Sequence, residues 1–222
     1  MRSTEVDHRG KHSRLNRWLA YDPPSKHPYD RFVLDALDAS NSDWVLDDGC
    51  GNGRFANALA MNGCQVVALD LNSFQVKAAQ TSCADSVYVL RADMTNLPLR
   101  TSVFDRVLCV HNIWYVKRFH EAIDEINRVL KSGGKCVVDQ LNLFNIGNLT
   151  SWRFYGILMK SLVGKAFFDV GRSCSSFVRP FSKMRHDLFS VNISSKLEVK
   201  EGRQFFASRF LVIATKNTHQ ER

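Results

Sequence analysis

Two hydrophobic registers alternate along this chain. From Trp44 onward, short and almost wholly apolar runs (WVLDD, QVVALDL, SVYVLRA, FDRVLCV and KCVVDQL) are separated by longer stretches whose apolar residues recur at helical spacing. Runs of that kind read as strands buried on both faces, which is the signature of a parallel sheet covered by helices. The intervening stretches RFANALAMNG, SFQVKAAQTS and HEAIDEINRVLKSGG read as helices. The first is closed by Gly63, the second is opened by Ser73 as N-cap, and the third is stopped by Gly133-Gly134. A further helix is expected in RFVLDALDA, ahead of the first strand. In the tail, SKMRHDLFSV reads as a helix, and KLEVKEG and FFASRFLVIAT as two strands.

This alternation predicts an α/β fold: a doubly wound, mostly parallel, Rossmann-like sheet of seven strands, with an antiparallel C-terminal edge and an inserted lid. The segment YDPPSKHPYD carries three of the five prolines and reads as a linker closing an N-terminal arm. Four units are therefore expected: an arm over 1–30, a core over 31–142, an insertion over 143–178, and a C-terminal helix with edge strands over 179–222. A stretch as long as 143–178 between two elements of a compact domain is expected to carry function.

Composition changes this picture in three places. The 222 residues and the 45% apolar content suit one soluble domain with a sizeable core. The six cysteines are scattered, with no C-x-x-C pair, so neither a metal site nor a disulfide framework is expected and a reducing cytoplasm fits. The first thirty residues hold no apolar core of a signal peptide. The most apolar window, SWRFYGILMKSLVGKAFF, is interrupted by Arg153, Lys160 and Lys165 and does not read as a membrane span. The net charge of +8 is concentrated: residues 143–190 hold seven Lys or Arg against Asp169 and Asp187, so they carry +5 of it. That excess suits either an anionic partner or a solvated basic face.

The candidate chemistry lies at strand ends. In doubly wound sheets ligands bind beyond the carboxyl ends of the strands, and there the sequence sets Asp47 to Gly53, Asp70, Asp93 and His111. The loop Gly49-Cys50-Gly51-Asn52-Gly53 has the spacing G-x-G-x-G, with Arg54 where a dinucleotide motif would continue. Asp70, 21 residues after Gly49, can take both hydroxyls of a ribose. A phosphate-bearing ligand is disfavoured beside Asp47, whereas an ammonium and a sulfonium are favoured. Three acids around one glycine loop therefore point to a nucleoside with a positive, phosphate-free tail, and S-adenosylmethionine is that molecule.

At this point the chain resembles the class I S-adenosylmethionine-dependent methyltransferases, in particular their small-molecule, type 11-like branch. The matching stretches are VLDDGCGNG, VVALDLN, ADMTNLPLRTSVFDRVLCV and EINRVLKSGGK, in order across residues 44–140. The resemblance implies that the Gly49, Cys50, Gly51 and Gly53 loop passes under the methionine part, with Asp47 near its amino group. It implies that Asp70 binds the ribose and Leu71 lines the adenine. Asp93 would accept from the adenine amino group beside Met94, and His111 would lie near the sulfur. His111 is also the candidate general base, against the alternative that it only shapes the pocket. Asp105 is assigned to structure.

The acceptor is expected to be a small molecule or lipid-like, with anionic character matching the basic segment. Trp152, Tyr155, Met159, Leu162 and Ala166 share one face at helical spacing, so residues 148–168 form a basic amphipathic stretch. It can cover the pocket, touch a membrane surface as a peripheral protein, or join two copies. RNA is the less favoured acceptor, and a non-catalytic, methyltransferase-like subunit is the alternative from a different class.

Overall fold

The computed structural model describes residues 28–141, 193–199 and 209–217. Within them the expected alternation is present. Helix α1 (Pro28–Leu37) precedes β1 (Trp44–Asp48), α2 (Arg54–Met61), β2 (Gln65–Asp70), α3 (Ser73–Ser82) and β3 (Val87–Arg91). Then come β4 (Phe104–Cys109), a short 3-10 turn (Ile113–Tyr115), α4 (Phe119–Val129), β5 (Leu130–Leu141), β6 (Ile193–Val199) and β7 (Arg209–Lys216). The seven strands form one sheet in the order β3-β2-β1-β4-β5-β7-β6. The first five are mutually parallel, and β7 runs antiparallel to both β5 and β6.

The continuous apolar runs are explained by two cores, one on each face. One face of the sheet packs Val45, Val66, Leu108 and Val137 against Val33 and Leu37 of α1 and Phe55 and Leu59 of α2. The other packs Leu46, Val107 and Val138 against Phe119, Ile123 and Ile126 of α4. Side chains alternate across a strand, so neighbours such as Val45 and Leu46 serve opposite cores, and both are fully buried. The order reverses between β1 and β4, both of which start from the middle of the sheet. A crevice at the carboxyl ends is the geometric consequence.

Four boundaries differ from the sequence expectation. Helix α1 begins at Pro28, inside the expected linker, because proline fits the first helical turn, where its missing N–H has no intrahelical partner. The cap of α3 is Asn72, whose side chain accepts from Phe74 N, one position ahead of Ser73. Helix α4 ends at Val129, before Gly133-Gly134: Leu130 is already paired with Phe104 and fully buried, and a register shift absorbs the glycines before Lys135 pairs with Arg106. In the tail the strands are Ile193–Val199 and Arg209–Lys216, shifted from KLEVKEG and FFASRFLVIAT. The arm over 1–27, most of the insertion and the expected helix SKMRHDLFSV lie outside the described residues. Among the described residues no helix is long and apolar enough to cross a membrane, and Cys50, Cys64, Cys83, Cys109 and Cys136 are free thiols.

Candidate functional site

The turn after β1 is shaped by backbone hydrogen bonds and left-handed glycines. Gly49 N and Cys50 N both donate to the Leu69 carbonyl of β2 at 2.8 Å, which folds the loop back over the neighbouring strand. Gly49, Gly51 and Gly53 have φ of +85°, +56° and +85°, values that glycine adopts without steric cost. Their surroundings differ. A Cβ on Gly49 would lie 1.5 Å from the Asn112 amide nitrogen, and one on Gly53 would lie 2.1 Å from Cys83 Sγ. Only at Gly51 would a Cβ meet nothing nearer than Gln75 Oε1, at 3.9 Å. Two of the three glycines thus make room for the protein's own side chains, and Gly51 is the one whose open side can admit a ligand.

Each acid is held differently. Asp70 ends β2 and ties the rim together: Oδ2 accepts from Gly51 N at 3.0 Å and Oδ1 from Asn72 N at 2.8 Å. A carboxylate oxygen has two lone pairs, so Asp70 can serve the loop and a ligand at once. Asp47 is 2% exposed and accepts from the Ala56 backbone, while its Oδ2 has no hydrogen-bond partner among the described residues. Burial, partly countered by the Ala56 N–H, pushes its carboxyl up to about 7, and the charge of Asp70 adds to the rise. Asp48, fully buried on the opposite face, has no hydrogen-bond partner for either oxygen among the described residues. Burial first, then the charges of Asp47, Asp70, Asp93 and Glu125, hold it well above the usual carboxyl range. Asp93 accepts from Thr95 N and Oγ1 at 2.9 and 2.8 Å, and its Oδ2 lies 3.5 Å from Arg118.

The remaining predicted residues spread around this rim. Cys50 is buried, with Sγ 3.5 Å from the Gly51 carbonyl, and burial pushes its thiol upward. Leu71 stands 60% exposed beside Asp70, whereas Met94 is buried in the core under α4. His111 follows β4 with φ +65°, a left-handed backbone that is uncommon outside glycine. Asp105 accepts from Trp44 N and from Lys131 Nζ, away from the carboxyl ends of the strands, in the structural role expected for it. Arg54, which interrupts the dinucleotide spacing, pairs with buried Asp30 of α1 and lies 4.8 Å over the Phe55 ring.

Residues 46–138 match the family described as a methyltransferase domain. That match covers fewer than half of the 222 residues. The curated relatives resemble the chain over part of their length. Malonyl-(acyl-carrier protein) O-methyltransferase from Enterobacter lignolyticus is 30% identical over 147 residues, covering 66% of this chain and 54% of that protein. Demethylmenaquinone methyltransferase from Clavibacter sepedonicus is 34% identical over 135 residues, covering 60% of this chain and 54% of its own. The chain thus spans about half the length of either relative. Among solved structures, an S-adenosylmethionine-dependent methyltransferase from Mesorhizobium loti superposes with a TM-score of 0.67 at 16% identity. That superposition covers 87% of this chain and 100% of the other, a likeness of fold.

Sequence reasoning missed three residues of this rim. Asn112 fills the space that Gly49 leaves and donates its amide to the Asp48 carbonyl. Asp139, fully buried on β5, takes the His111 backbone N–H at 2.6 Å, and Tyr29 of α1 donates to the same carboxylate at 2.8 Å. Asp139 carried a readable signal: an acid near the end of an apolar strand, as with Asp47 and Asp70. Tyr29 carried none, because it reaches the rim from 110 residues away.

Proposed function

We propose that the chain is an S-adenosylmethionine-dependent methyltransferase acting on a small-molecule acceptor, lipid-linked or phosphorylated. The observation that carries this reading is Asp47: a carboxyl 2% exposed at the glycine turn, with one oxygen unsatisfied among the described residues. Buried polar atoms without a partner are costly, and an ammonium from the ligand would supply the missing donor and favour the charged form. The donor set fits that ligand and fits a pyrophosphate poorly, since anionic oxygens would face Asp47. In the same reading Gly51 supplies the open backbone, Asp70 the ribose contact, and Asp93 with exposed Leu71 the adenine end. When bound, the cofactor supplies a methyl group on a sulfonium. The chain's own residues contribute alignment, an effect that can supply roughly 7–11 kcal/mol of a barrier.

The small-molecule acceptor is supported by the matched relatives and by the basic, amphipathic composition of 148–168. A peripheral, cytoplasmic location is proposed on the same composition. Isothermal titration calorimetry with S-adenosylmethionine tests the cofactor. Wild type is expected to bind, and Asp70→Ala, which removes both the ribose contact and the Gly51 anchor, to bind at least tenfold more weakly. No binding by wild type, undiminished binding by Asp70→Ala, or a preference for NAD would overturn the assignment.

A further inference from the structure

The connection between β3 and β4 carries Asp93 to the rim, and charged side chains of α4 hold that connection. Glu125 Oε2 accepts from Leu97 N at 2.6 Å, and Arg128 donates to the Leu97 and Leu99 carbonyls at 3.0 and 2.7 Å. These contacts fix the far end of the turn. Its near end is held by Arg118, the residue just ahead of α4, whose Nη2 donates to Thr95 Oγ1 at 2.6 Å. Thr95 is 8% exposed, so its hydroxyl has little access to water.

The chemistry of the donors fixes the direction of this chain of bonds. A guanidinium has no acceptor, so Thr95 Oγ1 must accept from Arg118. The single hydroxyl hydrogen is then left for Asp93 Oδ1, 2.8 Å away. The same oxygen accepts the Thr95 backbone N–H at 2.9 Å, which uses its second lone pair. Oδ1 is therefore filled, and Oδ2 is the oxygen left to accept from a ligand. Arg118 Nη2 lies 3.5 Å from Oδ2, longer than an ordinary N–H···O bond. The two side chains in that direct contact are 56% and 43% exposed, so solvent screens it. The relay through the buried Thr95 hydroxyl is the contact that orients the carboxylate.

We infer that Arg118 is a positioning residue for Asp93: through the Thr95 hydroxyl it fixes the carboxylate with Oδ2 outward, which makes the nucleoside end of the site select a 6-amino purine over a 6-oxo purine. The inference rests on the S-adenosylmethionine reading, in which Asp93 meets the adenine. An exocyclic amino group donates to Oδ2. A 6-oxo group in its place sets one acceptor against another, and the 6-oxo purine carries its donor on the neighbouring ring nitrogen instead. A carboxylate free to turn follows that displaced donor, whereas one pinned at Oδ1 does not. Loss of the relay therefore weakens discrimination more than it weakens binding.

Two measurements test this. Isothermal titration calorimetry compares S-adenosylhomocysteine with the same compound bearing a 6-oxo purine, on wild type, Arg118→Gln, Thr95→Val and Thr95→Ser. Wild type is expected to prefer the amino form by about tenfold or more, because the 6-oxo form leaves polar groups unpaired. That ratio should fall by about threefold or more in Arg118→Gln and Thr95→Val, and return in Thr95→Ser, which restores the hydroxyl. A merely structural role for Arg118 would lower both affinities together and leave the ratio unchanged. Without ligand, three-bond NMR couplings across the Asp93 Cα–Cβ bond should show one rotamer in wild type and Thr95→Ser, and averaging in the other two variants. No preference in wild type, an unchanged ratio in either folded variant, or an averaged Asp93 side chain in wild type overturns the inference. If Arg118→Gln does not fold, Thr95→Val carries the same comparison. Wild type that binds neither compound overturns the cofactor reading and the purine preference with it, and the ligand-free couplings separate that failure from a loose Asp93.

Discussion

Asp47→Asn isolates one proton. In the folded chain the Asp47 carboxyl lies at about 7, against an ordinary value of 3.8, chiefly because it is buried. Between those pH values the folded state therefore holds a proton that the unfolded state has released. Stability linked to that proton is full below about pH 4 and is lost as pH rises to about 7. Working the linkage between pH 5 and 7.5 gives a loss of about 2–3 kcal/mol, which for a chain of this size is a fall in Tm of about 5–10 °C. Asp47→Asn carries no such proton, so its stability should be flatter over the same range. Thermal unfolding of cofactor-free wild type and Asp47→Asn in half-unit pH steps reads the difference directly. S-adenosylmethionine should flatten the wild-type curve, because its ammonium favours the carboxylate. Parallel pH dependences in the two proteins, with a gap that does not widen from pH 5 to 7.5, would refute the reasoning.

Two further substitutions read other parts of the rim. Gly49→Ala should cost more than Gly51→Ala by roughly 1–3 kcal/mol in urea unfolding, because its Cβ must displace the Asn112 amide whereas Gly51 has open space. Equal losses would mean that φ strain alone accounts for both glycines. Asp48→Leu should raise stability at pH 7.5 by about 1–3 kcal/mol, since it removes a buried carboxyl whose two oxygens have no partner among the described residues. A drop in Tm would show that the carboxyl is compensated.

The alternation of strands and helices was legible because each strand is buried on both faces. That burial forces near-continuous apolar runs, and the runs are a local signal. The rim acids were legible for the complementary reason: a carboxylate ending such a run is out of place energetically and stands out against it. What could not be read depends on long-range pairing. The glycines look alike in sequence, yet Gly49 answers to Asn112 and Gly53 to Cys83, 63 and 30 positions away. The end of α4 was misplaced because the burial of Leu130 against the sheet overrides the stop signal of Gly133-Gly134. Tyr29 was absorbed into a proline-rich linker, and only the packing of α1 over β5 brings its hydroxyl to Asp139.

Adjacent acids at one strand end make a sharper statement than their number. Asp47 and Asp48 are successive residues of β1, so their side chains point to opposite faces of the sheet. Asp47 faces the core of α1 and α2, where Ala56 donates to it. Asp48 faces the core of α4, where Glu125 adds to its unfavourable surroundings. A single ligand ammonium cannot reach both. The cofactor therefore accounts for one unsatisfied carboxyl and leaves the other unexplained by binding. Two like charges side by side in a buried strand end also repel each other, so ionising Asp47 is easier if Asp48 keeps its proton. The burial of Asp48, which favours its neutral form, thereby lets Asp47 be the acid that meets the ligand's charge. Asp48→Leu then keeps that neutrality, so cofactor affinity should hold or rise where stability rises.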